Sequence, residues 1–89
     1  MQIKFSSDAK KELRKIRKKD SKLYKKVEKQ LDLFIKNPKH PSLRIHKLTG
    51  ELKDTWSLSI NKSIRMTYVS DKKGIYFTDI GTHDQVYKK

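Results

Sequence analysis

Apolar side chains recur every second residue at the start of the chain, then every third or fourth, then every second again. This divides the chain into a short strand, two helices and a series of strands. Gln2-Ile3-Lys4-Phe5 alternates and predicts the first strand. Ser6, Ser7 and Asp8 follow as candidate N-caps, because their side-chain oxygens can accept from the free amides of a first helical turn. Ala9, Leu13 and Ile16 then fall on one helical stripe, with basic residues around the rest of the circumference. Asp20 and Ser21 break this helix and cap a second, whose Leu23, Val27, Leu31, Phe34 and Ile35 share a stripe until Asn37-Pro38 ends it. Two helices joined so tightly form an αα-hairpin, and both stripes need a sheet to cover them.

The second half is strand-like. Residues 43–48, 55–60, 64–69 and 75–80 each alternate, and Thr49-Gly50, Asn61-Lys62-Ser63 and Asp71-Lys72-Lys73-Gly74 turn the chain between them. The prediction is one α+β domain over residues 1–89 in the order β-αα-ββββ, with the N-terminal hairpin packed on a small, mainly antiparallel twisted sheet. Helices on one face leave the other face open. Trp56, Leu58 and Ile60 share the core side with Ile64, Met66 and Tyr68, which reads Trp56 as core. Ser57, Ser59, Arg65 and Thr67 then point to the open side, with Arg44 and His46 beside them if Leu43 and Ile45 face the core. This open face is polar and basic and lacks the aromatic pair on which a single-strand-binding sheet stacks bases.

Composition narrows the picture. Eighty-nine residues make one core that needs no staples, and 34% apolar content makes it thin. Cysteine is absent, which excludes disulfides and cysteine-based metal sites, and three scattered histidines lack ligand spacing. No apolar run approaches the roughly 20 residues that span a bilayer, and no signal peptide is evident, so the expected location is cytoplasmic, with no membrane partner and no cofactor. The net charge of +13 draws such a chain toward polyanions. Between Lys10 and Lys29 there are eleven Lys/Arg and only three acids, a block that repels itself unless something anionic lies near.

Gly81-Thr82-His83-Asp84-Gln85-Val86-Tyr87 places an imidazole in what reads as a loop after the last apolar strand, where it is solvent-reachable and able to move protons near neutral pH. Together with Arg65 and the lysine surplus, it points to phosphodiester chemistry on RNA. The succession Leu48-x-Gly50-x-Leu52-x-x-x-Trp56-Ser57-Leu58, Ile64-Arg65-x-x-Tyr68 and Gly81-Thr82-His83, with Tyr87 near the end, resembles the RelE/ParE toxin superfamily. Its mRNA-interferase branch, which includes RelE, YoeB and YafQ, fits best.

That resemblance implies the RelE/ParE-like fold and a toxin of a type II toxin–antitoxin pair that cuts mRNA in the ribosomal A site without a metal. It also implies a cognate antitoxin, whose acidic, disordered segment folds on binding, and a toxin–antitoxin complex on operator DNA. In such cleavage the 2′-hydroxyl attacks its own 3′ phosphate, leaving a 2′,3′-cyclic phosphate and a 5′-hydroxyl. Arg65 matches the family's strand arginine, and its planar fork suits the phosphate oxygens; the plain alternative is an ion pair with Glu51 or Asp79. His83 matches the terminal histidine and is the candidate general acid, or else a surface histidine without a role. His46 stands where the YoeB-like branch has a glutamate and is the candidate base, or a solvated strand histidine. Ser59 replaces a YafQ-like histidine and cannot act as a base at neutral pH. Lys47, Lys53 or Lys62 can stabilise the alkoxide instead. Tyr87 either stacks on a base and orients the phosphate or packs on the sheet edge. His40, in a loop before Pro41, has no assigned role. Lys10, Lys11, Arg14, Lys15, Lys18, Lys22, Lys25 and Lys26 on the hairpin, with Arg44, are the candidate grip on ribosomal RNA. Two other readings stay open: a ParE-like gyrase inhibitor acting by protein contact, and a non-catalytic basic partner or corepressor of an antitoxin.

Overall fold

The computed structural model describes residues 2–48 and 54–87. Chain order is β1 (Gln2–Phe5), α1 (Ser7–Lys19), α2 (Ser21–Lys36), a 3₁₀ turn (Pro41–Leu43), β2 (His46–Lys47), β3 (Trp56–Ser59), β4 (Ile64–Asp71), β5 (Gly74–Thr82) and α3 (His83–Tyr87). The strands form one sheet in the order β1-β5-β4-β3-β2. All pairs are antiparallel except β1 with β5, which is parallel because the helical hairpin carries the chain back across the sheet. The α+β class, the hairpin and the meander are therefore as the alternation predicts.

The predicted caps form. Ser6 Oγ accepts from Ala9 N at 3.0 Å and Asp20 Oδ1 accepts from Leu23 N at 3.0 Å, so each helix has a side-chain acceptor for a free amide of its first turn. Val27 and Phe34 of α2 pack on Leu58, Ile60, Met66, Tyr68, Phe77 and Ile80, with Trp56 half-buried against the same cluster. The rings of Phe5 and Phe77 stack at 5.2 Å, and Phe34 meets Tyr68 at 5.1 Å. Ile35, counted in the α2 stripe, is instead 51% exposed.

The structure departs from strict alternation in three places. The strand expected over residues 43–48 shrinks to His46–Lys47, because Pro41 starts a 3₁₀ turn and Arg44 adopts a left-handed φ of 45°. In β5, Thr67 pairs with Asp79 but Tyr68 pairs with Phe77, so Thr78 is an extra residue, a bulge. Without it, Asp79 would follow Ile75 and Phe77 onto the core side; with it, Ile80 takes that side opposite Met66. The third departure is the face expected to be open. Ser57, Ser59 and Thr67 are buried there, and α3 lies across it with Val86 only 2% exposed.

Candidate functional site

The local sequence makes α3 and so places His83. Thr82 and Gln85 form a capping box: Gln85 N donates to Thr82 Oγ1 at 3.3 Å, and Thr82 N donates to Gln85 Oε1 at 2.8 Å. His83 is thus the first residue of a helix and does not lie in a loop, although it remains exposed as expected. Gly81 makes room for this turn, since a Cβ there would lie 2.6 Å from Gln85 Oε1. Four residues on, the Tyr87 ring meets the His83 imidazole edge-on, with centroids 4.0 Å apart and planes at 77°. Tyr87 Oη donates to Ser57 Oγ on β3 at 2.9 Å.

Cross-strand register gathers the remaining candidates. Arg65 is paired with Ser59 on one side and with Gly81, two residues before His83, on the other. It lies between Ile64 and Met66, whose side chains face the hairpin, so its own side chain is on the face that carries α3. The residue is half-buried, and its buried Nη1 has no hydrogen-bond partner among the described residues. His46 is exposed and pairs with Ser57, which pairs in turn with Thr67. His46 Nδ1 lies 3.2 Å from the Arg44 carbonyl, which can only accept. The neutral ring is thereby held as the Nδ1–H tautomer, which leaves Nε2 as the proton-accepting nitrogen.

Not every candidate joins this group. Lys47 pairs with Trp56 and so belongs to the opposite face, where its Nζ lies 3.7 Å from Asp54 Oδ1. Lys62 stands exposed in the β3–β4 turn, one end of which is the Ser59–Arg65 pair. Lys53, like Glu51, lies outside the described residues. Arg44 is exposed in the loop before β2. Most basic residues of α1 and α2 sit behind the sheet, although Lys11 and Lys15 line a pocket with Asp79 and Gln85 beside α3. Lys22, Lys25 and Lys26 reach the sheet's rim, lining a cavity of about 640 Å³ with Leu23, Asn61 and Ile64, and Ile64 pairs with Thr82 at the start of α3. His40 has a structural role, because its Nδ1 accepts from Ser42 N at 3.1 Å and caps the 3₁₀ turn. Sequence reasoning misses the burial of Ser57, because a serine alternating with core residues reads as facing solvent, and only the packing of α3 covers it.

This arrangement is a half-buried arginine, an exposed histidine at a helix start and a tyrosine tied to the sheet, on a small basic α+β fold. The fold matches solved toxin structures. YafQ from E. coli strain BL21(DE3) aligns with a TM-score of 0.79 at 21% identity, over 97% of both chains. The toxin–antitoxin complex DinJ–YafQ from E. coli gives 0.79 at 19%, also over 97% of both. The YoeB–YefM complex from Staphylococcus aureus gives 0.78 at 24%, over 93% of this chain and 97% of that one. No curated protein matches the sequence significantly. The family model for YafQ, described as the bacterial toxin of a type II toxin–antitoxin system, matches residues 1–88, and the chain belongs to that family.

Proposed function

We propose that this toxin is an endoribonuclease that cuts mRNA on the ribosome, the 2′-hydroxyl attacking its own 3′ phosphate. The observation that carries this reading is Arg65, whose buried Nη1 has no hydrogen-bond partner among the described residues and belongs to a permanently charged fork on the face that α3 shares. A guanidinium so disposed suits the non-bridging oxygens of a phosphorane, where charge builds in the transition state. His83 supplies the proton for the departing 5′ oxygen. His46, through Nε2, takes the 2′ proton, which requires it to be neutral while His83 is charged. Lys62 adds positive potential at the edge, as Lys53 does in this reading. The chemistry asks only for proton transfer and charge stabilisation, which these side chains provide.

Solved relatives bear antitoxins, DinJ on YafQ and YefM on YoeB. In this reading a cognate antitoxin with an acidic segment silences the present chain in the cytoplasm, and the pair binds operator DNA. The charge of +13 favours such a partner. Primer extension on translated transcripts tests the activity. Wild-type expression is expected to produce cuts that fall by at least about 100-fold in Arg65→Ala and His83→Ala. Intact mRNA with DNA breaks in expressing cells would overturn the nuclease reading in favour of gyrase inhibition, and unaffected growth would favour the corepressor reading.

A further inference from the structure

We propose that Ser57 is a positioning residue for His83, acting through Tyr87. Its kinetic consequence rests on the nuclease reading; its structural part does not. Ser57 lies in mid-sheet, is 0% exposed, and sits between His46 on β2 and Thr67 on β4. A hydroxyl buried so completely costs stability unless it is paired, and Tyr87 Oη pairs it at 2.9 Å across 30 residues of sequence.

Helix α3 has only five residues, too few to persist by its own hydrogen bonds. It is held at its start by the Thr82–Gln85 capping box, in its middle by buried Val86, and at its end by the Tyr87–Ser57 bond. The last of these fixes the Tyr87 ring at its hydroxyl end, and that ring is what the His83 imidazole meets at 4.0 Å. Ser57 therefore sets the orientation of a side chain it does not touch. With its proton given to Ser57, the Tyr87 hydroxyl is engaged as a donor, so the tyrosine acts on the site through its ring.

The test compares wild type with Ser57→Ala, Tyr87→Phe and the double variant, using ¹³C-histidine-labelled protein and the Cε1–H resonance of His83. An aromatic ring at this distance moves that resonance strongly. Both single variants are expected to shift it in the same direction, with the double variant adding little, because one bond is broken from either end. Cleavage of a translated mRNA is expected to lose about 10-fold in kcat with KM within about twofold, as for a misplaced acid. A His83 resonance in both single variants that superimposes on wild type overturns the proposal, as does a rise in KM alone. If Ser57→Ala does not fold, Tyr87→Phe carries the test, since it removes one oxygen and keeps the ring. Should the wild type cut no RNA, the nuclease reading falls, and the resonance still decides the role of Ser57.

Discussion

Tyr68 shows how burial of one polar atom becomes a pH dependence. It lies in the core beside Phe34 and Phe77, and burial pushes its phenol up from 10.0 to about 12. Below pH 10 the phenol is neutral in both folded and unfolded chains. Between 10 and 12 the unfolded chain releases its proton and the folded one keeps it, so stability falls through that window. The loss is at most about 2–3 kcal/mol, at about 1.4 kcal/mol per pKa unit. Urea melts of wild type and Tyr68→Phe from pH 8 to 12 are expected to diverge only above pH 10, with wild type losing more; parallel curves would count against the assignment. Lysine titration in the same range is common to both proteins and cancels in the difference. Gly74 is the backbone counterpart. Its φ of +151°, and a Cβ position 2.0 Å from the Gln2 carbonyl, put any side chain into the first residue of β1. Gly74→Ala is expected to cost roughly 2–3 kcal/mol in thermal or urea denaturation and to loosen β1 first in hydrogen exchange.

Individual elements differ in how far the sequence announces them, and the reason is where their information resides. The hairpin and the β3–β4 pair are legible because period and burial agree: Leu58 meets Met66, and Trp56 meets Tyr68, as the alternation requires. The bulge in β5 is not legible, because its cause is tertiary. Ser6 Oγ, while capping α1, donates to the Thr78 carbonyl at 2.7 Å, and Thr78 Oγ1 lies 2.8 Å from Thr67 Oγ1. These bonds hold the extra residue in place. Ser6→Ala therefore removes a cap and loosens the bulge together. It is expected to cost about 1–2 kcal/mol, more than Asp20→Ala, whose cap bond is exposed. Equal losses in urea melts would mean that the bulge stands without Ser6. Helix α3 escapes the periodicity although Thr82-x-x-Gln85 is a capping-box spacing, because five residues carry no helical period to accompany it. The candidate site divides in the same way. Arg65 and His83 are legible as residue types in order, whereas the covering of their face by Tyr87 and Val86 depends on a bond between residues 30 apart.

Across the whole molecule, the sheet separates most of the densest positive charge from the candidate chemistry, and under the proposed function a bound RNA would have to reconcile the two. Most lysines of α1 and α2 lie behind the sheet, while Arg65 and His83 belong to its front. Among the described residues the two surfaces meet in two places: at one end, where Lys22, Lys25 and Lys26 border Ile64 and Asn61, Lys62 occupies the β3–β4 turn and Ile64 pairs with Thr82, and beside α3, where Lys11 and Lys15 line a pocket with Asp79 and Gln85. A strand entering the site over the first of these would place its phosphates against Lys22, Lys25 and Lys26, and one entering beside α3 would place them against Lys11 and Lys15. Replacing Lys22, Lys25 and Lys26 with Gln should accordingly weaken binding of a short single-stranded RNA without regard to its sequence. The slope of log K against log salt should fall by between 1 and about 2, at about 0.7 for each phosphate that is no longer neutralised. The same change at Lys11 and Lys15 should leave the slope of the short RNA unaltered if that RNA enters past Lys22, Lys25 and Lys26. His83→Ala protein provides the uncut background for the titration, read by fluorescence anisotropy from about 50 to 300 mM salt, a range over which such charge pairs are strongly screened. An unaltered slope in the triple variant would mean that RNA reaches Arg65 by another route, beside α3 past Lys11 and Lys15 or from the opposite end of the sheet past Lys4 and Lys73.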